Sequence, residues 1–220
     1  MQQDALNCEI VLALRKTKGF FLIELVLVIV IIGFLAATAL PRFLAVREEA
    51  TKASVEGVAS NFAAAVLLVR AQWEGKGQIK QNGYNVTNYD GTTFYLTTPT
   101  DSQLNNGELA PGYPLDTIFD GTTLSPANLS ALRCLNILQG LLQNPPNATA
   151  DFTEVQADKD KFNYYVSVSL NGNNSICRYY LIERLRKGRD GQYQDPQGVT
   201  DNLMSFSYRP AFGQVISDIN

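Results

Sequence analysis

FFLIELVLVIVIIGFLAATAL, residues 20–40, is the stretch that decides the fold of this chain. Its 21 residues carry one charge, Glu24, and a basic tract of Arg15, Lys16 and Lys18 precedes it, ending at Gly19. At about 1.5 Å per residue a helix of this length is about 30 Å long, the thickness of a bilayer's hydrocarbon core. A charged side chain deep in lipid is unfavourable by ~2.5–3.5 kcal/mol, so Glu24 needs a partner or a function there. The run is too long for the apolar region of a secretory signal peptide. The basic flank sets the N-terminal side in the cytoplasm and the remaining chain on the far side of the membrane.

Beyond the run the pattern turns amphipathic. Pro41 removes one backbone donor and kinks a helix without having to end it, which packed membrane helices tolerate. Phe43, Val46 and Ala50 then recur at three- to four-residue spacing, as do Val55, Ala59, Phe62, Val66, Val69 and Trp73. Arg47, Glu48, Glu49, Lys52 and Glu56 fall mainly between them, giving one apolar stripe on a helix. Gly75 and Gly77 end it. Residues 20–74 therefore read as one helix of about 80 Å, its first half for membrane or filament core and its second half for a globular head. An aromatic stripe at helical period is a packing surface, so Trp73 and its partners are assigned to the core beneath a sheet.

The head, residues 78–220, is polar and rich in turns. Asp90-Gly91 between residues 84–89 and 92–98 is a two-residue hairpin signal. A loop rich in Gly, Pro, Asn and Asp follows, up to Thr123. Ser125-Pro126 reads as a helix cap and first helical residue, opening a helix through Leu129, Leu132, Leu135, Leu138 and Leu142 that carries Cys134 and stops before Pro145-Pro146. Residues 162–170 and 175–185, the latter holding Cys177, form an antiparallel pair across the turn 171–174. Residues 203–209 read as a further strand.

The composition excludes several chemistries. There is no histidine, so Ser-His and Cys-His nucleophile pairs and histidine metal sites are out. No phosphate-binding glycine loop and no Cys-x-x-Cys pair occurs. With 18 basic against 21 acidic residues the chain is mildly acidic, and no nucleic-acid partner is expected. Asp190, Asp195 and Asp201 lie in an oxygen-rich, turn-rich stretch that is a candidate calcium loop; its spacing fits no EF-hand, and a solvated surface is the competing reading. Asn-x-Ser/Thr matches begin at Asn85, Asn128, Asn147 and Asn173 and are read as chance in an Asn-rich head. No cofactor is expected.

The run Gly19-Phe20-Phe21-Leu22-Ile23-Glu24-Leu25, with Gly33 and Pro41 beyond it, resembles the N-terminal signature of type IV prepilins. That resemblance implies that a prepilin peptidase cuts after Gly19 and that the new Phe20 amine is N-methylated. It implies too that Glu24 aids assembly by pairing with the terminal amine of a neighbouring subunit. Phe21 stands where the family more often has a small hydroxyl residue. The 19-residue leader carries Asp4 and Glu9 and is long for the family; translation from Val11 would shorten it and leave the same mature chain. Removing it leaves 201 residues with 15 basic and 19 acidic groups, a formal charge of −4. Cys8 goes with the leader, and the remaining pair, Cys134 and Cys177, favours a disulfide in the periplasm, with two free buried thiols as the alternative.

A narrower likeness joins Pro41-Arg42-Phe43-Leu44, Ser54-Val55-Glu56-Gly57-Val58, Val69-Arg70-Ala71-Gln72-Trp73-Glu74 and Asn88-Tyr89-Asp90-Gly91-Thr92 followed by Phe94-Tyr95-Leu96. These segments look like those of minor pilins of mannose-sensitive haemagglutinin (MSHA) pili. The expected fold is α+β and type IV pilin-like: a leader 1–19, a transmembrane or filament-core helix 20–41, its amphipathic continuation 42–77, and a head 78–220 on an antiparallel sheet. The expected function is structural and not enzymatic. The subunit belongs to an MSHA-type pilus, contributing to assembly and surface adhesion, with other pilin subunits, the prepilin peptidase and the inner-membrane assembly machinery as partners. The precursor sits in the inner membrane with its head in the periplasm, and the mature subunit in a pilus at the cell surface. A type II secretion pseudopilin is the alternative, and a membrane-tethered periplasmic enzyme a more distant one.

Overall fold

The computed structural model describes residues 21–158, 160–171, 174–197 and 203–219. The first element, α1, spans Leu22–Gly75 with Pro41 inside it, and the chain divides into two compact units, Met1–Arg47 and Glu48–Asn220. In the first unit every described side chain is exposed, in keeping with a helix apolar on all sides. In the second, α1 buries Val55, Ala59, Phe62, Ala65, Val66, Val69 and Trp73, the stripe expected from the spacing plus Ala65. Phe43 and Val46 continue that periodicity yet stay 66% and 62% exposed.

The end of α1 follows from glycine. Gly77 has φ +82°, its amide donates to the Glu74 carbonyl, and the Gln78 amide reaches the Trp73 carbonyl at 3.0 Å. This is the paired closure that satisfies orphan carbonyls when a left-handed residue follows a helix.

Two sheets follow. The first orders four antiparallel strands, β1 (Lys80–Gln81), β2 (Tyr84–Tyr89), β3 (Thr92–Leu96) and β4 (Pro114–Asp116), side by side. The β2–β3 turn has φ +48° at Asp90 and +82° at Gly91, both positive as a type I′ turn requires, so the hairpin signal holds. The stretch read as loop also contains α2 (Asp101–Asn105), opened by a reciprocal cap between Thr100 and Gln103.

The second sheet orders β5 (Ala148–Thr149), β6 (Tyr164–Asn171), β7 (Asn174–Leu181), β8 (Ser205–Arg209) and β9 (Gln214–Asp218), all antiparallel except β5 against β6. The expected pair 162–170 and 175–185 is therefore present, but its second strand stops at Leu181, where Ile182–Arg184 forms a 3-10 turn.

The expected helix from Ser125 is corrected. Pro126–Asn128 makes only a 3-10 turn, Leu129 is extended, and α3 spans Ala131–Leu141. The second start has its own cap: Ser130 Oγ accepts from the Arg133 amide at 3.2 Å. Helix α4 (Phe152–Ala157) is capped by Asp151.

The main core lies between the α1 stripe, α3 and the inner faces of both sheets. Phe62 sits at its centre, its ring 5.3–5.7 Å from those of Tyr179, Phe206 and Tyr208. A second core, with Val155, Tyr165, Tyr180, Ile182, Leu185, Tyr193 and Leu203, covers part of the other face of the five-stranded sheet. The architecture is thus the expected α+β one, a long N-terminal apolar helix whose C-terminal part packs on antiparallel sheet.

Candidate assembly site

The N-terminal part of α1 is where the expected processing and assembly residues fall. Gly19 and Phe20 lie outside the described residues. Glu24 occupies the first turn, and its Oε2 accepts a hydrogen bond from the Phe21 amide at 3.2 Å. An acid in a first turn satisfies an orphan amide and complements the positive end of the helix dipole. Glu24 is exposed, as are the apolar side chains around it. The helix contains a window of mean hydropathy 2.7, none of it buried, and is long and apolar enough to cross a membrane.

Pro41 lies within α1, so the Ala37 carbonyl lacks the amide that an ordinary residue would present. A Cβ added to Gly33 would meet nothing within 4 Å, so that glycine answers no packing demand inside a single chain.

In the head, Cys134 of α3 and Cys177 of β7 are joined, with Cα atoms 5.5 Å apart and 43 residues between them in sequence. Both cysteines are fully buried. The Tyr179 hydroxyl, two residues along β7, donates to the Cys134 carbonyl at 2.9 Å, so a hydrogen bond backs the covalent link. Tyr208 similarly donates to the Pro114 carbonyl at 3.0 Å, tying the two sheets. Burial pushes both phenols well above their ordinary pKa, which keeps these donors protonated.

Beside the bridge lies a polar network that the sequence reading missed. Arg133, almost buried, reaches Asp116 at 3.2 Å and Asp120 at 3.1 Å, and donates to the Thr122 hydroxyl at 2.6 Å. Asp116 Oδ1 also accepts from the Thr117 amide and from Asn136 of α3. The arginine thereby fastens the loop after β4 to α3. Hydrogen bonds from the hydroxyl and amide of Thr122, and then from Arg133, bring the Asp120 carboxyl down to about 2. No local signal announces this network, because its members lie up to 20 residues apart.

Close backbone approaches complete the head. Gly112 (φ +88°) lies so near Trp73 that an added Cβ would come within 2.6 Å of its ring, and at Gly213 (φ +67°) a Cβ would come within 2.0 Å of Tyr113. Tyr113 in turn lies under the Arg70 guanidinium, which donates to its hydroxyl and pairs with Glu74 at 2.9 Å.

The calcium candidates do not converge. Asp190 accepts from the Gln192 amide and Asp195 from the Gln197 amide, each closing its own turn, and Asp201 lies outside the described residues. Among the described residues no group of three His, Cys, Asp or Glu side chains could hold a metal ion. Asn85 is buried and its amide donates to the Thr97 carbonyl, so it is no glycan acceptor; Asn173 lies outside the described residues.

The described residues thus combine a helix whose N-terminal part is apolar, with one acid in its first turn, and a cross-linked α+β head. Over 60 residues, 27% of this chain, the sequence is 43% identical to the type IV narrow pilus major component PilA5 of Thermus thermophilus. Part of the chain is therefore homologous to a type IV pilin. The matched stretch is 52% of that protein, so the chain spans about half the length of the curated relative it matches. No protein-family model matches the chain, and no solved structure does.

Proposed function

We propose that this chain is a structural subunit of a type IV pilus, held first in the inner membrane by the N-terminal half of α1 and then packed by it into a filament. The observation that carries the reading is the contrast along α1: uncovered apolar side chains with Glu24 in the first turn, then a stripe buried in the head. An exposed apolar surface of this extent needs lipid or protein around it. The homology to a pilin subunit over part of the chain supports the same reading.

The finer reading is a minor subunit of an MSHA-type pilus that contributes to assembly and surface adhesion, supported by the segment likenesses between residues 41 and 96. In this reading prepilin peptidase cuts after Gly19, the Phe20 amine is methylated, and the inner-membrane machinery passes the subunit to neighbouring pilins. Glu24 then meets a neighbour's terminal amine, because an unmatched carboxylate in a medium of low dielectric is strongly unfavourable. The role is structural, and no reaction is assigned to the chain.

The deciding experiment is the Gly19→Val variant expressed beside wild type, followed by blotting of membranes and sheared filaments. A side chain at the cut site obstructs the peptidase, so the variant remains as full-size precursor and is absent from filaments. Processed, filament-borne Gly19→Val subunit would overturn the cleavage assignment, and absence of the wild-type chain from filaments would overturn the pilus reading. Immunogold labelling along filaments separates a minor from an abundant subunit.

A further inference from the structure

Asn85-Val86-Thr87 matches a glycosylation motif, yet its two polar residues are buried in the head, Asn85 2% and Thr87 4% exposed. Residues two apart on a strand share a face of the sheet. Asn85 stands opposite Leu96 and Thr87 opposite Phe94, and both of those apolar residues belong to the main core. Asn85 and Thr87 therefore lie on the core side of the four-stranded sheet, beside each other and among apolar neighbours. They occupy the strand that meets the end of α1, where Gln72 and Lys76 both donate to the Asn88 carbonyl.

Each of the two carries an oxygen that the fold leaves alone. Asn85 Oδ1 and Thr87 Oγ1 are buried with no hydrogen-bond partner among the described residues. The Asn85 side chain is nevertheless held in one orientation, because its Nδ2 donates to the Thr97 carbonyl at 2.8 Å. Flipping the amide would set Oδ1 against that carbonyl, two acceptors face to face. Its backbone amide is also engaged, donating to Thr98 Oγ1 at 2.8 Å. Asn85 thus cannot turn to find a donor without giving up bonds it already makes.

We infer that Asn85 Oδ1 and Thr87 Oγ1 hold one internal water molecule between them. A water donates twice, which suits two neighbouring oxygens that both accept; the Thr87 hydroxyl can equally donate to the water, and in either arrangement Oδ1 gains its missing donor. Same-face positions on a strand lie about 6.6 Å apart, and two hydrogen bonds of about 2.8 Å through one water cover most of that span. Globular proteins hold about one buried water per 27 residues on polar groups of this kind, so a head of this size has room for such a site in its architecture. The water would fasten β2 from within at the place where α1 ends.

The test is the sign of a stability change. Thr87→Val keeps the shape of the side chain and removes its hydroxyl. Were the two oxygens merely stranded, the loss of one would leave the head as stable or more so. With the water bound, the substitution strands Oδ1 and deprives the water of a partner. Thermal unfolding of the full chain in detergent should then show the head melting about 3 °C lower. In an Asn85→Leu background, where Oδ1 is gone, Thr87→Val should no longer lower the melting temperature. An unchanged or higher melting temperature for Thr87→Val alone overturns the site. A crystal structure of the detergent-solubilised wild type decides the matter if a variant fails to fold. The expected density is one water within hydrogen-bond distance of both oxygens; a dry pair, or a direct bond between Asn85 and Thr87, overturns the inference.

Discussion

The two halves of α1 are the same secondary structure stabilised from opposite directions. Up to Arg47 the helix has apolar side chains all round, and every described side chain there is exposed. From Val55 onward one stripe is buried by the chain's own sheets, and the other faces are mostly polar or small, with Leu67 and Leu68 exposed among them. A single helix can thus serve assembly at one end and folding at the other, because the two demands fall on different residues. The same substitution made in each half should therefore give unlike results.

The largest effect is expected at Phe62. Phe62→Ala empties the centre of the ring cluster and costs about 4 kcal/mol of head stability in chemical denaturation of the detergent-solubilised chain. Phe34→Ala, the matching change in the first half, should leave that unfolding transition in place. A shift of the head transition by Phe34→Ala would break the division of labour. Next is the bridge: Cys134→Ser lowers head stability by about 3 kcal/mol, and the unreduced wild type shows no thiol labelling of Cys134 or Cys177 after denaturation. Free labelling of both would remove the bridge from the account.

Ser130→Ala removes the cap of α3 and costs about 1 kcal/mol, read as a lower denaturation midpoint at unchanged slope. Smaller again is a pH effect at Asp120. Its folded carboxyl titrates at about 2, below the ~3.9 of an unfolded aspartate, so its contribution is complete above about pH 4. That contribution disappears as the pH falls through the folded value. Wild type should lose stability relative to Asp120→Asn between those limits, and a constant gap between the two would contradict the assignment. Last comes Glu24→Ala, which should leave head unfolding unchanged and yet lower the amount of subunit recovered in sheared filaments.

Much of this division was legible in the sequence, because periodicity is a local property. The stripe from Val55 to Trp73, the closure at Gly77 and the Asp90-Gly91 turn each announce themselves within a few residues. What sequence reading missed was either short or long-range. Strands β4 and β5 have three and two residues, too few to show alternation. The break at Leu129 was masked by a leucine pattern that runs through it, although Ser130 carried a second cap signal. The Arg133 network joins a helix to a distant loop, and nothing near Arg133 in sequence points to Asp116. Phe43 and Val46 show the converse limit, since their spacing predicts burial without saying in which molecule.

The bond between Cys134 and Cys177 has a mechanical consequence. A pull that strips strands from the head cannot lengthen the segment between the two cysteines, however many hydrogen bonds fail. With 43 residues of separation the bridge locks away about 145 Å of fully extended chain. Under oxidising conditions the maximum extension of the head is therefore shorter by that length, and a reductant would release it in a single step.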